Sequence, residues 1–127
     1  MAYIYDPENV FAKILRGDIP CDKVDESTHS LAFRDIAPQA PNHVLVIPKG
    51  AYVCFDHFAL EASDEEIVDF NRMVGRICRD LGVQPGAGGG GYRLIANSGE
   101  AAIQDVPHMH MHILAGRPLG RMLRDPE

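Results

Sequence analysis

Apolar residues repeat at helical spacing in two stretches of the chain. The longer stretch follows Ser63 and Glu66, which have the spacing of a capping box, and this order predicts one long helix. Its apolar face consists of Ile67, Phe70, Met73, Val74, Ile77 and Leu81. The shorter stretch predicts an N-terminal helix with Asp6 as N-cap, Pro7 at the first helical position and Gly17 as the stop. Its apolar face consists of Val10, Phe11, Ile14 and Leu15.

Four other stretches have the pattern of β-strands. In "HSLAFRD", Leu31 and Phe33 fall on one side of a predicted strand. "HVLVIP" is an almost continuous apolar run, which is typical of a strand covered on both faces. "GYRLIAN" and "HMHMHILA" are two further predicted strands. The order of helix, strands, long helix and strands predicts an α+β fold with an antiparallel sheet, and without a linker or repeat we expect residues 1–127 to form a single domain.

Composition and charge narrow the classes of partner. The chain has 127 residues, of which 46% are hydrophobic, and this is sufficient for the core of one domain. A formal net charge of −6 provides no basic surface for a polyanion, so we expect no nucleic acid partner. No apolar run approaches the roughly 18 to 20 residues that cross a bilayer, and the N-terminus lacks a signal-peptide pattern. We therefore expect no membrane partner and a cytoplasmic location.

Cysteine usage gives no sign of a disulfide framework. The three cysteines, Cys21, Cys54 and Cys78, are widely spaced and form no CxxC pair. This spacing predicts free, mostly buried thiols, and it excludes a zinc site built on a cysteine pair.

Half of the six histidines lie in the stretch "PHMHMHIL". Side chains alternate between the two faces of a strand, and residues two apart are roughly 6.5 Å from each other on the same face. His108, His110 and His112 are therefore predicted to form one row. The opposite face, which consists of Met109, Met111 and Ile113, is predicted to pack against the long helix.

Three imidazoles in one row allow three interpretations. They are solvated surface residues, they bind a divalent metal such as zinc, or they bind an anion that one nitrogen attacks while the others donate hydrogen bonds. A metal site requires hydrogen-bonded partners that orient each ring. The spacing alone does not separate the metal from the anion.

The motif "HMHMHIL" resembles the signature of the histidine triad (HIT) family of nucleotide hydrolases and transferases. The stretches "VFAKILRGDIP", "LAFRDIAPQAPNHVLVIPK", "DLG", "YRLIAN" and "HMHMHILAGR" follow one another as in the histidine triad nucleotide-binding proteins, the branch that hydrolyses phosphoramidates. The resemblance implies a HIT-like fold with an antiparallel sheet of about five strands, one long helix and a short N-terminal helix. It also implies a homodimer in which the two sheets join edge to edge into one continuous sheet.

The resemblance implies roles for four histidines. His110 is expected to attack the α-phosphorus of a nucleoside 5′-phosphoramidate, and water then hydrolyses the covalent nucleotidyl-histidine intermediate to the nucleoside monophosphate. Neutral imidazole is a good nucleophile near pH 7, and we expect the neighbouring histidines to disfavour protonation of His110. His112 is expected to contact the phosphate and is a candidate proton source for the amine. His108 and His43, in "APNHVLVIP", are expected to orient the nucleophile and hold its tautomer.

The resemblance also implies residues that bind the substrate. Asp35 is expected to accept hydrogen bonds from both ribose hydroxyls, a task that suits an ionised carboxylate. The apolar walls of the purine pocket are expected to be Val10, Phe11, Ile14, Phe33 and Ile36. Asn97, Gly99 and Gln104 match positions that contact the phosphate or shape the loop above it, and the amide of Asn97 is suited to a phosphoryl oxygen.

Some positions depart from the family pattern. Ile103 stands where a glycine is common, and Asp105 stands where a serine often donates to the phosphate or leaving group. An aspartate there repels a phosphate, so we expect Asp105 to meet the departing ammonium instead. The tail "RPLGRMLRDPE" lacks the tryptophan of some relatives. Zinc-binding relatives carry a cysteine pair where this chain has "VFAKI", so we expect neither a metal nor another cofactor.

These features predict a purine nucleoside phosphoramidate hydrolase that acts on substrates such as AMP phosphoramidates. Two alternatives within the family are a dinucleoside polyphosphate hydrolase and a nucleotidyltransferase. An alternative of another class is a nucleotide-binding regulatory protein in which catalysis is incidental. The physiological substrate, its leaving group and any protein partner stay open.

Overall fold

Five strands and three α-helices make up the part of the computed structural model that is described, residues 3–124. The strands are β1 (Lys23–Glu26), β2 (Ser30–Arg34), β3 (Asn42–Pro48), β4 (Tyr92–Ile95) and β5 (Met111–Ala115). The helices are α1 (Val10–Arg16), α2 (Phe55–Glu61) and α3 (Asp64–Asp80), with a short 3-10 helix at Pro85–Ala87. All neighbouring strands are antiparallel, in the order β1-β2-β3-β5-β4. The predicted α+β fold, its antiparallel sheet of about five strands, its long helix and its short N-terminal helix are confirmed.

Residues 1, 2 and 125–127 lie outside the described part, and the last residues of the tail "RPLGRMLRDPE" belong to them. A single domain over residues 1–127 therefore stays a prediction. Within residues 3–124, no helix has both the length and the apolar character that a membrane span requires.

Strand β3 lies at the centre of the sheet and is covered on both faces, as its apolar run predicts. Val44 and Val46 belong to a buried cluster that includes residues of α3, whereas Leu45 and Ile47 belong to a second cluster with Phe11 of α1. Leu31 and Phe33 of β2 join the second cluster, so they share one side of their strand as predicted. The sheet thus carries α3 on one face and α1 on the other, and α1 borders the site described below.

The methionine face of the histidine stretch packs as predicted. Met109 and Ile113 are buried in the same cluster as Phe70, Met73 and Ile77 of α3, and Met111 packs against that cluster. Cys54 and Cys78 are buried, Cys21 is half-buried, and all three are free thiols, as expected.

Helix α3 begins as predicted, whereas α1 begins later than predicted. At α3 the Ser63 side chain accepts a hydrogen bond from the Glu66 N–H, and the Glu66 side chain accepts one from the Ser63 N–H, which completes the capping box. At α1 the cap is Asn9, whose Oδ1 accepts from the Ala12 N–H at 2.9 Å. The carboxylate of the predicted cap, Asp6, instead accepts a hydrogen bond from the Glu8 N–H, which forms a turn just before the helix. Gly17 ends α1 in the left-handed conformation, with φ +83°, as predicted.

Two elements have weak sequence signals. Strand β1 is a short edge strand of mostly polar residues with an irregular register between Lys23 and Asp25, so it lacks the alternating pattern. Helix α2 has Cys54 at its N-cap, and the Cys54 side chain accepts no hydrogen bond from a main-chain N–H of the first turn, so the helix lacks the usual N-terminal signature.

The histidine stretch is only partly a strand, which corrects the prediction of one continuous strand over "HMHMHILA". β5 begins at Met111, and its last ladder pair with β3 at this end joins Val46 to Met111. Continued pairing would place Met109 opposite Pro48, which has no N–H to donate. The Met109 N–H instead donates to the carbonyl of Tyr52 at 2.7 Å. His108 and His110 therefore lie in the irregular segment that enters β5, and only His112 lies within the strand.

Candidate active site

A cleft of about 300 Å³ lies between helix α1, the end of β2 and the start of β5. Its lining includes nine of the residues predicted from the sequence, namely Val10, Phe11, Ile14, Phe33, Asp35, Ile36, Asp105, His110 and His112. The rest of the wall, which was not predicted to belong to the site, consists of Ile19, Pro20, Cys21, Arg34, Leu45 and Val106. The cleft thus has apolar walls at one side and imidazoles with two carboxylates at the other.

His110 stands at the buried end of this cleft, with 5% of its surface exposed. Its Nδ1 lies 2.7 Å from the main-chain carbonyl of His108. A carbonyl oxygen only accepts, so Nδ1 carries the proton and Nε2 keeps its lone pair. The ring of Phe11 meets the ring of His110 at 85° with 5.0 Å between centroids, which fixes the plane of the imidazole.

Burial keeps His110 neutral. It lowers the pKa of the imidazole, and the His108 carbonyl and the charges of Asp105 and Asp35 act in the opposite direction. The predicted direction is therefore correct, and burial is its main cause. A positive charge on His110 would also lower the pKa of His108 and of His112, so the imidazoles disfavour one another's protonation.

A chain of hydrogen bonds reaches His112 from the loop before β3 through His43 of that strand. The main-chain N–H of Gln39 donates to Nδ1 of His43 at 3.1 Å, so the proton of His43 is on Nε2. That Nε2 lies 2.8 Å from Nδ1 of His112 and 3.4 Å from a carboxylate oxygen of Asp35. His112 therefore accepts at Nδ1 and carries its own proton on Nε2, available to a ligand.

Both members of this pair are neutral near pH 7. Burial, followed by the charges of His110 and His43, lowers the pKa of His112 to about 4. Burial also lowers the pKa of His43, and Asp35 opposes this shift. A neutral His112 donates a hydrogen bond through Nε2, but it has no easily lost proton to give. This geometry connects His43 to His112, whereas the main chain of His108 contacts the nucleophile candidate His110.

The side chain of His108 lies behind the cleft and is fully buried. Its Nε2 lies 2.8 Å from the carbonyl of Pro48, so this nitrogen is the donor. The hydroxyl of Tyr5 consequently donates to Nδ1, over 2.6 Å. Burial lowers the pKa of His108 to about 4. Tyr5 is a partner that the sequence analysis missed, because it is 103 positions from His108 and no local pattern marks it.

Asp35 follows β2 and lies on the cleft wall next to the imidazoles. One carboxylate oxygen accepts from the Ala37 N–H at 2.8 Å, and the other faces His43. Only part of the acceptor capacity of this carboxylate is occupied, since an ionised carboxylate accepts about four hydrogen bonds.

Asn97, Gly99 and Gln104 do not line the cleft described above. The Gln104 side chain accepts from the Gly99 N–H at 3.0 Å and donates to the carbonyls of Val53 and Val106 at 2.7 and 3.0 Å. These contacts use both N–H groups of the amide and one lone pair of its oxygen, so Gln104 shapes the loop. Asn97 is half-buried just after β4, and Gly99 has the left-handed φ of +81° that suits glycine.

The two departures from the family pattern lie on the same loop. Ile103 has a φ of +55°, which is costly for a β-branched residue and accounts for the glycine that is common at this position. Its side chain is 74% exposed. Asp105 is exposed and lines the cleft beside His110 and His112.

One group of side chains has the composition of a metal site. Ligand atoms of Asp35, His43 and His112 lie within 4.8 Å of one another, and two histidines with a carboxylate suit several divalent metals. However, the Gln39 N–H occupies Nδ1 of His43, so the Nε2 that would coordinate carries a proton instead. His108 has both nitrogens engaged, which also argues against zinc on the three-histidine row. The donor set fits a hydrogen-bonded network better than a metal.

A deep row of imidazoles beside a five-stranded antiparallel sheet defines a protein of the histidine triad class. In agreement, residues 16–119 match the HIT domain. An uncharacterized HIT-like protein of Azospirillum brasilense is 56% identical over 123 residues, which are 97% of this chain and 98% of that protein. The purine nucleoside phosphoramidase of Escherichia coli (strain K12) is 41% identical over 116 residues, which are 91% of this chain and 93% of that enzyme.

Solved structures agree with the sequence matches. The structure of a HIT family hydrolase from Clostridium thermocellum has a TM-score of 0.79 at 35% identity, and the match covers 91% of this chain and 97% of that one. The chain therefore belongs to the HIT family, and the resemblance stated from its sequence is confirmed.

Proposed function

We propose that this protein is a purine nucleoside phosphoramidate hydrolase that acts through a covalent intermediate on His110. The observation that carries the proposal is the pair of opposite tautomers at the cleft, a lone pair on Nε2 of His110 beside a proton on Nε2 of His112. One imidazole is thereby prepared to attack, and the other to donate. The identity of 41% to a purine nucleoside phosphoramidase supports a nucleotide substrate and hydrolysis.

In the first step Nε2 of His110 forms a bond to the α-phosphorus, and the P–N bond breaks. The amine leaves with the electron pair of that bond and takes up a proton from solvent, because His112 is neutral near pH 7. The Nδ1–H of His110 continues to donate to the His108 carbonyl. The phosphorylated ring is then a cation, which makes it a good leaving group for the second step.

In the second step water attacks the same phosphorus and loses a proton to solvent, the bond to Nε2 breaks with its electron pair returning to the imidazole, and the nucleoside monophosphate is released. The Nε2–H of His112 donates to a phosphoryl oxygen in both steps, where negative charge increases in the transition state. Asn97 is a second candidate donor to the phosphate. Gly99 and Gln104 hold the loop that carries Asp105.

The nucleoside is proposed to occupy the apolar part of the cleft. Its walls are Val10, Phe11, Ile14, Phe33 and Ile36. Asp35 accepts from the ribose hydroxyls with the part of its carboxylate that is not engaged by Ala37. This placement puts the α-phosphorus at the imidazoles.

The proposed enzyme is a cytoplasmic homodimer whose two sheets join at their edges. Strand β4 is an edge strand, and its Tyr92 and Leu94 are each 42% exposed. An edge with exposed apolar side chains favours pairing with a second chain. Sedimentation equilibrium is expected to give the mass of two chains, and a monomer at all concentrations would contradict the dimer.

The direct test is hydrolysis of a tryptamine phosphoramidate of AMP in the presence of a metal chelator. His110→Ala is expected to lower kcat by at least about a thousand-fold, because it removes the nucleophile. His29→Ala is the matched control, because His29 is a half-exposed histidine beside Glu65 and outside the cleft. Quenching of the wild-type reaction in alkaline denaturant, which preserves the acid-labile P–N bond to imidazole, is expected to trap a nucleotidyl group on His110.

The same assay separates the proposal from its alternatives. A wild-type rate no higher than that of His110→Ala would reject the proposal. Faster cleavage of diadenosine polyphosphates would favour the other family activity. Tight AMP binding with negligible turnover of every phosphoramidate would favour a regulatory protein.

A further inference from the structure

We propose that Asp105 makes the cleft selective for phosphoramidates whose leaving amine carries a second, positively charged group. This inference rests on the proposed function and deepens it by naming the class of leaving group. It begins from the position of Asp105, an exposed carboxylate on the cleft wall beside both His110 and His112.

The cleft has three charged lining residues, and they differ in whether a protein group interacts with their charge. Its charged lining residues are Arg34, Asp35 and Asp105, and the imidazoles beside them are neutral near pH 7. Arg34 lies 3.9 Å from the carboxylate of Asp22, and Asp35 is held by Ala37 and His43. Within residues 3–124, the carboxylate of Asp105 has neither an ion-pair partner nor a hydrogen bond. Its charge is nevertheless felt at His110 and at His112.

The main chain around Asp105 holds the carboxylate at the cleft. The preceding residue, Gln104, donates from its side chain to the carbonyl of the following residue, Val106, and to Val53. Gln104 also accepts from the Gly99 N–H, and its own N–H donates to the Gly99 carbonyl at 3.1 Å. The residues on both sides of Asp105 are thus hydrogen-bonded to the rest of the fold, whereas its carboxylate has no partner within residues 3–124.

The charge of Asp105 has opposite consequences for different substrates. A phosphoramidate with a neutral leaving group brings only the negative phosphate toward the imidazoles, and Asp105 repels it. A leaving group with a cation a few bonds from the P–N nitrogen places a positive charge within reach of this carboxylate, and attraction replaces repulsion. Polyphosphates add negative charge, so the same residue disfavours them. Specificity of this kind uses a repulsive element against the wrong ligand.

The test compares two AMP phosphoramidates of equal length. One is made from 1,4-diaminobutane, whose free end is protonated, and the other from n-pentylamine, whose end is a methyl group. We expect the wild-type protein to have a kcat/KM about five-fold higher for the charged substrate, the size of a partly exposed ion pair. Asp105→Asn is expected to abolish this preference, by lowering kcat/KM for the charged substrate and raising it for the neutral one. Added salt is expected to weaken the wild-type preference.

A matched control and a second measurement complete the design. Glu100→Gln removes an exposed carboxylate from the same loop but outside the cleft lining, and it is expected to keep the preference. Isothermal titration calorimetry measures binding of the 4-aminobutyl and pentyl esters of AMP, which contain no P–N bond. The ratio of their Kd values reports the same preference without turnover.

Each outcome of these experiments decides a different question. If Asp105→Asn changes both substrates by the same factor, or if the wild-type protein shows no preference, the selectivity proposal is wrong. If the wild-type protein hydrolyses neither phosphoramidate, the proposed function fails. In that case the ratio of Kd values for the two esters still decides whether Asp105 recognises a cation.

Discussion

His108 and His112 flank the same imidazole, and in both the pKa is lowered to about 4, yet their surroundings differ in one respect. Both ring nitrogens of His108 are occupied, one by Tyr5 and one by Pro48. His112 has one nitrogen occupied by His43, and the other lies at the cleft. A saturated imidazole holds the fold together, whereas an imidazole with one unused nitrogen is available to a ligand.

Like His112, His110 has one ring nitrogen that is hydrogen-bonded within the protein and one that is not, but its proton is on Nδ1 instead of Nε2. Its Nδ1–H is used by the carbonyl of His108, and its Nε2 is left with a lone pair. The three histidines of one motif are therefore a structural residue, a nucleophile candidate and a donor candidate.

The largest effect on the rate is expected at His112, the imidazole with one unused nitrogen. His112→Ala removes the Nε2–H donor from the phosphate site and is expected to lower kcat by about a thousand-fold. The unfolding free energy is expected to change little, because His43 keeps Asp35 as a neighbour. Steady-state kinetics and urea unfolding measure the two quantities. His112→Gln, which retains an N–H donor, is expected to recover part of the rate, and equal loss in both variants would remove the assigned role.

At His108, whose two ring nitrogens are both hydrogen-bonded, we expect a large effect on stability and a small effect on the rate. His108→Ala leaves the Tyr5 hydroxyl and the Pro48 carbonyl without their partner and opens a cavity, so we expect the unfolding free energy to fall by about 3 kcal/mol. The main-chain carbonyl that orients His110 remains, so the rate per folded molecule is expected to fall far less than in His112→Ala. Urea unfolding with kinetics under stabilising conditions provides the check. An unchanged unfolding free energy would show that His108 is not structural.

The pH dependence of stability gives a smaller effect. The pKa of His108 is about 4 in the folded protein and near 6.5 in the unfolded chain, so between these values the unfolded chain binds more protons. The contribution of neutral His108 to the unfolding free energy is therefore fully present above pH 6.5, and it decreases as the pH falls toward 4. At pH 5 the loss from His108 is expected to be about 2 kcal/mol relative to pH 7. Urea unfolding of the wild-type protein and His108→Ala at both pH values measures it, and equal pH dependence in the two would contradict the buried neutral state.

The smallest effect is expected at Tyr5. Tyr5→Phe removes one hydrogen bond to Nδ1 of His108 and is expected to cost about 1 kcal/mol of unfolding free energy. We expect kcat to stay within about two-fold, because the Pro48 bond still holds the ring. A drop in kcat comparable to that of His112→Ala would mean that the two flanking histidines are not functionally distinct.

Much of the fold was predictable because its signals are local. The capping box at Ser63, the helical repeat that follows it and the apolar run of β3 each act within a few residues. β1 and α2 lack such signals and were missed. The cap of α1 was misplaced because Asp6 and Asn9 are both good capping residues, and only the turn geometry selects Asn9.

The residues of the candidate site were largely predictable from the sequence, but their hydrogen-bond network was not. Nine predicted residues line one cleft, and the alternating pattern correctly separated the methionines from the histidines. The hydrogen bonds were not predictable, since they join Tyr5 to His108 and Gln39 through His43 to His112 across the sheet.

The sequence identifies the family through the resemblance of the histidine motif and of the stretches that precede it. The periods of apolar and polar residues predict most of the sheet and helix pattern, and they predict which face of the motif carries imidazoles. Which nitrogen of each histidine carries a proton follows from the tertiary structure and not from the sequence pattern. That choice depends on whether a donor or an acceptor lies beside the ring, and those partners come from distant parts of the chain. The burial that keeps the imidazoles neutral likewise exists only once the sheet and α1 have closed around them.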